Sequence, residues 1–305
     1  MTRASAPGKL NIYFAVGPLR ADGYHDVASV YQALNLLEIV SVSPGENWKV
    51  ETSGNLSDQQ RSQIPTGEEN LVVRAAIALA RKAGIGNPQT MHFQIRKQVP
   101  VAGGMGGGSA DAAAALLALN DSWCLGFTSK QLQEVAAQIG ADVPFSLQGD
   151  TAVGLGTGTE LTTITSVGLN WVMVLSDSTL STPAVFKKLD ELRKKNGINP
   201  GEVDIPLVPD SVFAALTESP EEVAKQMHND LHEPAMELLP ELRQLSDLGE
   251  RLGALRTMVS GSGPTVAMLA TDQSAAIKLA SDLRQRGFNA IACHGPVSGA
   301  TLLDD

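Results

Sequence analysis

The alternation of hydrophobic and polar positions predicts a regular series of strands and helices in the first half of the chain. Apolar residues at every second position indicate strands, and apolar residues at intervals of three and four indicate amphipathic helices. The predicted strands are residues 10–16, 33–42, 48–51 and 90–97, and the predicted helices are 69–80, 112–119 and 130–139. Asn70 is expected to cap the first of these helices, and Thr128 or Ser129 the last. Residues 54–66 are polar and lack periodicity, so no element is predicted there.

The second half of the chain shows the same kind of pattern. The predicted strands are residues 171–175, 255–259, 265–270 and 289–293, and the predicted helices are 183–193, 220–228, 240–252 and 273–286. The final strand–strand–helix–strand order suits an antiparallel sheet with helices on one face. A glycine-rich connection over 154–158 suggests a division into domains 1–158 and 159–305. Residues from Pro296 onward are expected to form an exposed acidic tail.

Composition narrows the class of protein. Of the 305 residues, 43% are hydrophobic and 18% are charged, which is ordinary for a globular chain. The net charge of −10 argues against nucleic acid or an anionic membrane as a partner. The sequence shows neither the apolar core of a signal peptide nor a run of about 18 apolar residues. Cys124 and Cys293 have no metal-binding spacing, so we expect reduced thiols and a cytoplasmic location.

A glycine-rich segment stands between the strand predicted over 90–97 and the helix that follows. Five glycines fall within six positions: Gly103, Gly104, Gly106, Gly107 and Gly108. Glycine can adopt positive φ and lets other groups approach its backbone closely. Successive N–H groups at the start of a helix bind anions, and the helix dipole adds partial positive charge there. The segment is therefore predicted to bind phosphate.

This segment does not match the common phosphate-binding loops. A Walker loop requires lysine after its last glycine, and Ser109 stands at that position. A dinucleotide-binding loop requires a third glycine, and Ser109 again stands in its place. The His-Arg-Asp and Asp-Phe-Gly signatures of protein kinases are absent from the sequence. On local chemistry alone, a turn that merely tightens a strand-to-helix connection remains the alternative.

Four other places combine chemically useful residues with turns. Lys9 lies between a Pro-Gly turn and an apolar strand, and it needs a partner there unless it is a solvated turn residue. Tyr24 and His25 follow an Asp-Gly turn, where packing and solvent contact would also explain them. Asp142 precedes Val-Pro at the exit of a helix, where a simple turn acid is the alternative. Residues 260–265 form a glycine-rich link between strands, which a hairpin turn would also explain.

Together these segments resemble the GHMP family of small-molecule kinases, which includes galactose, homoserine, mevalonate and phosphomevalonate kinases. The string PVAGGMGGGSADAA, residues 100–113, is similar to the second motif of the family. Pro7-Gly8-Lys9-x-Asn11 is similar to the first motif. Residues 260–265 (SGSGPT) resemble the third, a loop that packs against the nucleotide phosphates. The three motifs occur in the family's order and lie in both halves of the chain.

The resemblance implies a fold and a set of site residues. The fold is α/β (α+β) with two domains and the active site in the cleft between them. The N-terminal domain would contain a left-handed β-α-β crossover, and the C-terminal domain a ferredoxin-like antiparallel sheet with helices. Asp142 would be the base toward the substrate hydroxyl, and Lys9 would lie beside that hydroxyl. The ATP-binding residues would be Asn70, Leu71, Lys97, Pro100, Val101, Ala102, Gly103, Gly104, Met105, Gly106, Gly107, Gly108, Ser109 and Ala110.

The tetrad Asp-Gly-Tyr-His, residues 22–25, is similar to the branch of the family that phosphorylates a cytidine-diphosphate-linked methylerythritol. By this resemblance Tyr24 stacks on cytosine, His25 hydrogen-bonds its edge, Phe186 covers the second face, and Asn11 also binds substrate. Stacking on an aromatic ring adds about 1–3 kcal/mol per base. The implied co-substrate and ion are ATP and Mg²⁺. The implied protein is a monomer or weak homodimer, without nucleic-acid or membrane partners.

Two alternatives stay open at this point. The chain could be another member of the family, such as a homoserine or mevalonate kinase, although the Asp-Gly-Tyr-His tetrad speaks against this. It could also be an inactive sensor that binds nucleotide and sugar, although the presence of both Lys9 and Asp142 speaks against that. The sequence does not predict the metal ligands, and Ser109 is a candidate only because it carries a hydroxyl beside the loop.

Overall fold

The computed structural model describes residues 1–54, 56, 58–101, 103–176 and 178–304. The strands are β1 (Thr2–Leu19), β2 (His25–Pro44), β3 (Lys49–Gly54), β4 (Met91–Lys97), β5 (Thr151–Leu155), β6 (Glu160–Ile164), β7 (Leu169–Leu175), β8 (His228–Asn229), β9 (Arg256–Val259), β10 (Val266–Ala270), β11 (Asn289–Gly295) and β12 (Thr301–Leu303). The helices are α1 (Asp58–Ser62), α2 (Leu71–Lys82), α3 (Gly107–Ser122), α4 (Ser129–Ala136), α5 (Val143–Gln148), α6 (Thr182–Lys195), α7 (Asp210–Leu216), α8 (Pro220–Gln226), α9 (His232–Leu238), α10 (Glu241–Arg251) and α11 (Gln273–Arg284).

The larger sheet has eight strands within the described residues, and its main path runs β12-β1-β2-β4-β3. Strand β5 pairs with β2 and β6, and β8 pairs with β1. Strands β1 and β2 form a long antiparallel hairpin with register shifts, one of them between Pro7 and Gly8. Proline cannot donate to a strand ladder, which explains the irregularity at this point. The turn predicted at these residues is thus a break in register inside a strand.

Helices α2 and α3 pack with the larger sheet around an apolar core. Helix α3 is rich in alanine, and its short side chains let the helix axis lie close to the strands. Leu116 and Leu119 on α3 are fully buried with Phe93 and Ile95 of β4. Full burial of one such side chain contributes about 1.5–3 kcal/mol to folding. The parallel pair β3–β4, with α1 and α2 between its strands, forms the β-α-β unit of this half.

The smaller sheet confirms the arrangement predicted for the second half. Its described strands follow the order β11-β7-β10-β9, and every pair is antiparallel. Along the chain, β7 leads through helices to β9 and β10, and α11 then leads to β11. This is the ferredoxin-like β-α-β-β-α-β order.

The two sheets share a core, so the halves of the chain are packed against each other. Leu10 and Ile12 of β1 lie in one apolar cluster with Trp171 and Met173 of β7. The indole Nε1–H of Trp171 donates a 2.9 Å hydrogen bond to Oε1 of Gln32 on β2. A buried polar group that lost this partner would cost about 1–3 kcal/mol, which makes the contact specific as well as stabilising.

Two segments are paired in ways that the sequence prediction did not include. The segment after Pro296, expected to be an exposed acidic tail, returns to the larger sheet, where β12 pairs with β1. The glycine-rich connection over 154–158 lies inside the hairpin β5–β6, and the chain leaves the larger sheet only after Ile164. The division into domains 1–158 and 159–305 stays a prediction. The pairing of β12 with β1 joins opposite ends of the chain, which local periodicity does not show.

Smaller differences concern short elements. The segment over 54–66 contains the single-turn helix α1, and helix α9 and strand β8 also have no counterpart in the sequence prediction. The two helices have only one or two turns and the strand has two residues, so all three are too short to show a periodic pattern. No described helix has the length and apolar character needed to cross a membrane.

Candidate active site

Two neighbouring cavities meet at the glycine loop, defined here as residues 98–106 between β4 and α3. The larger has a volume of about 710 Å³ and the smaller about 340 Å³. Gly104 and Gly106 line both. A loop whose backbone faces two cavities is suited to hold a group that passes from a ligand in one to a ligand in the other.

The glycines of this loop are required by close contacts as well as by backbone angles. Gly104 has φ of +72° and Gly106 has φ of +69°. A Cβ at Gly104 would lie 2.3 Å from the carbonyl oxygen of Ser260, which leaves no space for a side chain. Gly106 directly precedes α3, whose first-turn N–H groups have no partner within the helix. The loop and this helix end therefore offer backbone donors to an anion.

A second glycine-rich loop, residues 260–265, packs against the first. The side-chain amide of Asn229 donates to the carbonyl oxygens of Val259 and Gly261, each at 2.8 Å. The hydroxyls of Ser262 and Thr182 lie 2.8 Å apart. This loop forms the turn from β9 into β10, and it also contacts the glycine loop. Its packing against nucleotide phosphates stays a prediction.

Lys9 and Asp142 lie side by side where the two cavities meet. The Lys9 backbone N–H donates to the carbonyl oxygen of Met105 at 2.9 Å, which fixes β1 against the glycine loop. Its ammonium lies 3.9 Å from Oδ2 of Asp142. The side chain of Lys9 is 7% exposed and that of Asp142 31% exposed, so the carboxylate is the more accessible of the two. A Cβ at Gly106 would lie 3.7 Å from the same carboxylate oxygen.

A short hydrogen-bond chain orients Lys9. Its Nζ donates to Oδ1 of Asn11 at 2.8 Å, and the Asn11 amide donates to Oγ of Ser29 at 2.7 Å. Ser29 in turn donates to the carbonyl oxygen of Tyr13 at 3.0 Å. The ring of Tyr31 has its centroid 5.8 Å from the same ammonium, and burial raises the pKa of this phenol above its ordinary value. Sequence reasoning missed Ser29 and Tyr31, since nothing near them in the chain marks a site.

The far end of the larger cavity is aromatic. The rings of His25 and Phe186 have centroids 5.2 Å apart, and Tyr24 is 69% exposed at the same cavity. The Nε2–H of His25 donates to Oδ1 of Asp190 at 3.1 Å, and both residues are buried. The structure therefore brings together all the residues predicted to bind substrate: Asn11, Tyr24, His25 and Phe186. Asp190 was missed, because it is 165 positions from its partner.

The smaller cavity collects most of the residues predicted to bind ATP. Its lining includes Asn70, Leu71, Lys97, Pro100, Val101, Gly103, Gly104, Met105, Gly106, Gly107 and Gly108. Ser109 and Ala110 lie in the first turn of α3, and Ala102 lies outside the described residues. Asn70 caps α2 as predicted: its Oδ1 accepts from the N–H of Val72 at 3.0 Å, and its amide donates to Pro65. The cap uses the oxygen of this side chain, and the bond to Pro65 uses its amide nitrogen.

Beneath the glycine loop lies a cluster of buried charges, Glu38, Lys97 and Asp111. The ammonium of Lys97 is 2.8 Å from Oε1 of Glu38 and 2.6 Å from Oδ2 of Asp111. Burial and the nearby Asp111 raise the pKa of Glu38 from 4.5 to about 8, and burial raises the pKa of Asp111. Burial opposes the charge on Lys97, but the two carboxylates hold its pKa above the ordinary value. Two carboxyls share one cation, so the cluster retains an extra proton near neutral pH.

The described residues hold no group of three or more histidine, cysteine, aspartate or glutamate side chains arranged to bind a metal ion.

Comparison with known proteins identifies the protein family. The chain matches the GHMP kinases N terminal domain over residues 70–150 and the GHMP kinases C terminal domain over residues 212–289. It belongs to the GHMP kinase family, whose members are ATP-dependent small-molecule kinases.

Two relatives and one solved structure match nearly the whole chain. The 4-diphosphocytidyl-2-C-methyl-D-erythritol kinase of Paenarthrobacter aurescens strain TC1 is 46% identical, and the alignment covers 99% of this chain and 96% of the relative. The enzyme of the same name from Nocardia farcinica strain IFM 10152 is 41% identical, with coverage of 98% and 95%. A crystal structure of 4-(cytidine 5'-diphospho)-2C-methyl-D-erythritol kinase has a TM-score of 0.75 at 29% identity, covering 96% of this chain and 98% of that one.

The contact between the two glycine-rich loops can be tested at Gly104. Ala at this position would need a backbone shift, whereas Gly84 has the same φ of +72° with nothing within 4 Å of its Cβ position. Both substitutions carry the backbone cost of a left-handed Ala, about 1–2 kcal/mol. Gly104→Ala alone is expected to lower kcat/KM for ATP, by about 100-fold, because it displaces the loop. Activity of Gly104→Ala within threefold of Gly84→Ala would contradict this.

The charge cluster predicts a pH dependence of stability. The folded state keeps a proton on the cluster between pH 4.5 and about 8, where an unfolded glutamate has lost it, so the free energy of unfolding falls as pH rises through this range. Glu38→Gln removes the carboxyl whose pKa is raised, and with it this effect. We expect the wild-type free energy of unfolding, measured in urea, to fall relative to that of Glu38→Gln by a few kcal/mol between pH 5 and pH 8, roughly 1.4 kcal/mol per pH unit. Parallel pH curves would contradict the shared proton.

Proposed function

We propose that this chain transfers the γ-phosphoryl group of ATP to the 2-hydroxyl of 4-diphosphocytidyl-2-C-methyl-D-erythritol, giving the 2-phosphate and ADP in the synthesis of isoprenoid precursors. One observation carries the proposal: Lys9 and Asp142 lie where the cavity beside the glycine loop opens into a larger cavity with an aromatic far end. The names of the relatives support the same substrate.

The transfer would occur beside Gly106. The substrate oxygen forms a bond to the γ-phosphorus as the bond from that phosphorus to the β,γ-bridging oxygen breaks, and ADP leaves. Asp142 accepts the hydroxyl proton and later releases it to solvent. The ammonium of Lys9 stabilises negative charge on the reacting oxygens, and its bond to Asn11 holds it in place. Most of the catalysis then comes from positioning and charge stabilisation.

ATP would occupy the smaller cavity, with its phosphates on the glycine loop. Backbone N–H groups of residues 103–109 and the start of α3 supply the donors. Asn70, Leu71 and Lys97 line the part of the cavity proposed for the adenosine. Mg²⁺ would arrive with the phosphates and neutralise their charge. The Ser109 hydroxyl, in the first turn of α3, is the candidate protein oxygen for it.

The cytidine diphosphate would extend through the larger cavity to its aromatic end. Tyr24 and Phe186 provide ring faces for a flat base, and Asp190 holds the imidazole of His25 in one orientation. A mevalonate or homoserine substrate has no base to place there. An inactive sensor would not need Lys9 and Asp142 paired at the junction of the cavities.

The proposal includes a monomer or weak homodimer in the cytoplasm, acting without nucleic-acid or membrane partners. The net charge of −10 and the two free cysteines, Cys124 and Cys293, support this assignment.

The role of Asp142 is tested by replacing it with asparagine. Asn keeps the size of the side chain but accepts no proton, so kcat is expected to fall by roughly 10²–10⁴. The KM for ATP should change little, and circular dichroism should show an unchanged fold. A loss below tenfold in a folded variant would remove Asp142 from the role of base.

The substrate is tested by measuring ADP release with Mg-ATP and four alcohols: the cytidylated methylerythritol, free methylerythritol, mevalonate and homoserine. Turnover is expected only with the first. Tyr24→Ala should raise the KM for this substrate by about tenfold or more, the loss expected for one stacking contact. Exposed Leu207→Ala serves as a control that should leave it unchanged. Turnover of another alcohol would overturn the cytosine assignment while leaving the kinase assignment intact.

A further inference from the structure

The buried cluster of Glu38, Lys97 and Asp111 connects the three elements that hold the glycine loop. Glu38 comes from β2, Lys97 ends β4 just before the loop, and Asp111 lies in the early part of α3 just after it. All three side chains are at most 6% exposed. The two ion pairs of Lys97 therefore link the strand before the loop to the helix after it.

Glu38 also contacts the loop backbone directly. Its two carboxylate oxygens accept hydrogen bonds from the N–H groups of Gln98, at 3.2 Å, and Val99, at 3.3 Å. A Cβ at Gly107 would lie 3.3 Å from Oε1 of Glu38 and 3.3 Å from Cγ1 of Val99. One carboxylate thus touches the first residues of the loop and the first residue of α3.

Such a cluster is not an efficient source of stability. Desolvation of buried charges opposes their attraction, and apolar residues of similar volume often stabilise a core as well or better. What the charges add is a defined geometry, because each hydrogen bond requires a particular position of the backbone it contacts. The cluster lies directly beneath a loop whose N–H groups must point at a ligand.

We propose that Glu38, Lys97 and Asp111 are positioning residues that hold both ends of the glycine loop in the conformation that binds the nucleotide phosphates. The inference rests on the proposed function for the identity of the ligand. The cluster acts through the loop. By fixing the loop it also fixes Gly106, which lies beside Lys9 and Asp142 on the side of the loop that faces away from the cluster.

The two carboxyl groups differ in what they contact. Both oxygens of Glu38 accept hydrogen bonds from the loop backbone. The Oδ1 atom of Asp111 is buried and has no hydrogen-bond partner among the described residues. Glutamine at position 38 therefore loses one acceptor for the loop backbone, whereas asparagine at position 111 leaves both of those hydrogen bonds in place.

This asymmetry gives the test. Binding of Mg-ADP and of CDP is measured by calorimetry on the full chain, for wild type, Glu38→Gln and Asp111→Asn. Glu38→Gln is expected to weaken Mg-ADP binding by about tenfold or more, as expected for the loss of a charged hydrogen bond that orders the loop. Asp111→Asn is expected to weaken it less than Glu38→Gln does, because both hydrogen bonds from the loop backbone to Glu38 remain in place. CDP affinity should be unchanged in both, because its base lies at the other end of the larger cavity.

Thr257→Val is the matched control. It breaks the buried hydrogen bond between Thr257 on β9 and Ser246 on α10, away from both cavities. This variant should lose stability without losing affinity for Mg-ADP. If Glu38→Gln does not fold, Glu38→Asp keeps the charge but shortens the side chain by one methylene, which moves its oxygens away from the loop backbone, and the same weakening of Mg-ADP binding is expected.

Two outcomes would overturn the inference. One is Mg-ADP affinity of a folded Glu38 variant within twofold of wild type. The other is equal weakening of Mg-ADP and CDP binding, which would indicate general destabilisation. Failure of wild type to bind CDP would instead count against the proposed substrate, and the Mg-ADP comparison would still decide the role of the cluster.

Discussion

The backbone of Gly104 lies so close to the carbonyl oxygen of Ser260 that a Cβ would stand 2.3 Å from it. This contact joins a loop of the larger sheet to a loop of the smaller one. It can form only because the two sheets share a core, in which Ile12 of β1 lies with Trp171 of β7. The position of Lys9 depends on the same loop, since its backbone N–H is hydrogen-bonded to the carbonyl oxygen of Met105.

An acidic protein that binds polyphosphates needs local positive potential. The net charge is −10, yet the meeting point of the cavities has the ammonium of Lys9, the N–H groups of the glycine loop and the start of α3. Each buried cation has its own partners: Lys9 has Asn11 and Asp142, and Lys97 has Glu38 and Asp111. Because these donors are already oriented, little free energy is spent on rearranging them when an anion binds. Their attraction to the anion is therefore strong.

The sequence predicted those parts of the site that depend on neighbours along the chain. Asn70 caps α2, and Thr128 caps α4, because a capping residue acts on N–H groups two or three positions away. The glycine loop could also be predicted, because its glycines are neighbours in the sequence. Asp190, Glu38 and β12 were not, because their partners are brought near only by the complete fold. Family resemblance supplied Phe186, which local patterns would assign to the core.

The two ends of the larger cavity are built from different parts of the chain. The reacting end consists of Lys9, the glycine loop and residues 260–265, which are the segments that resemble the shared family motifs. The aromatic end combines the turn before β2 with helix α6, and His25 and Asp190 connect them across the two halves. In the proposed function, phosphoryl transfer and recognition of the alcohol are thus separated in the structure. Changes in α6 or in residues 22–25 would then alter the substrate without disturbing the loops proposed to hold ATP.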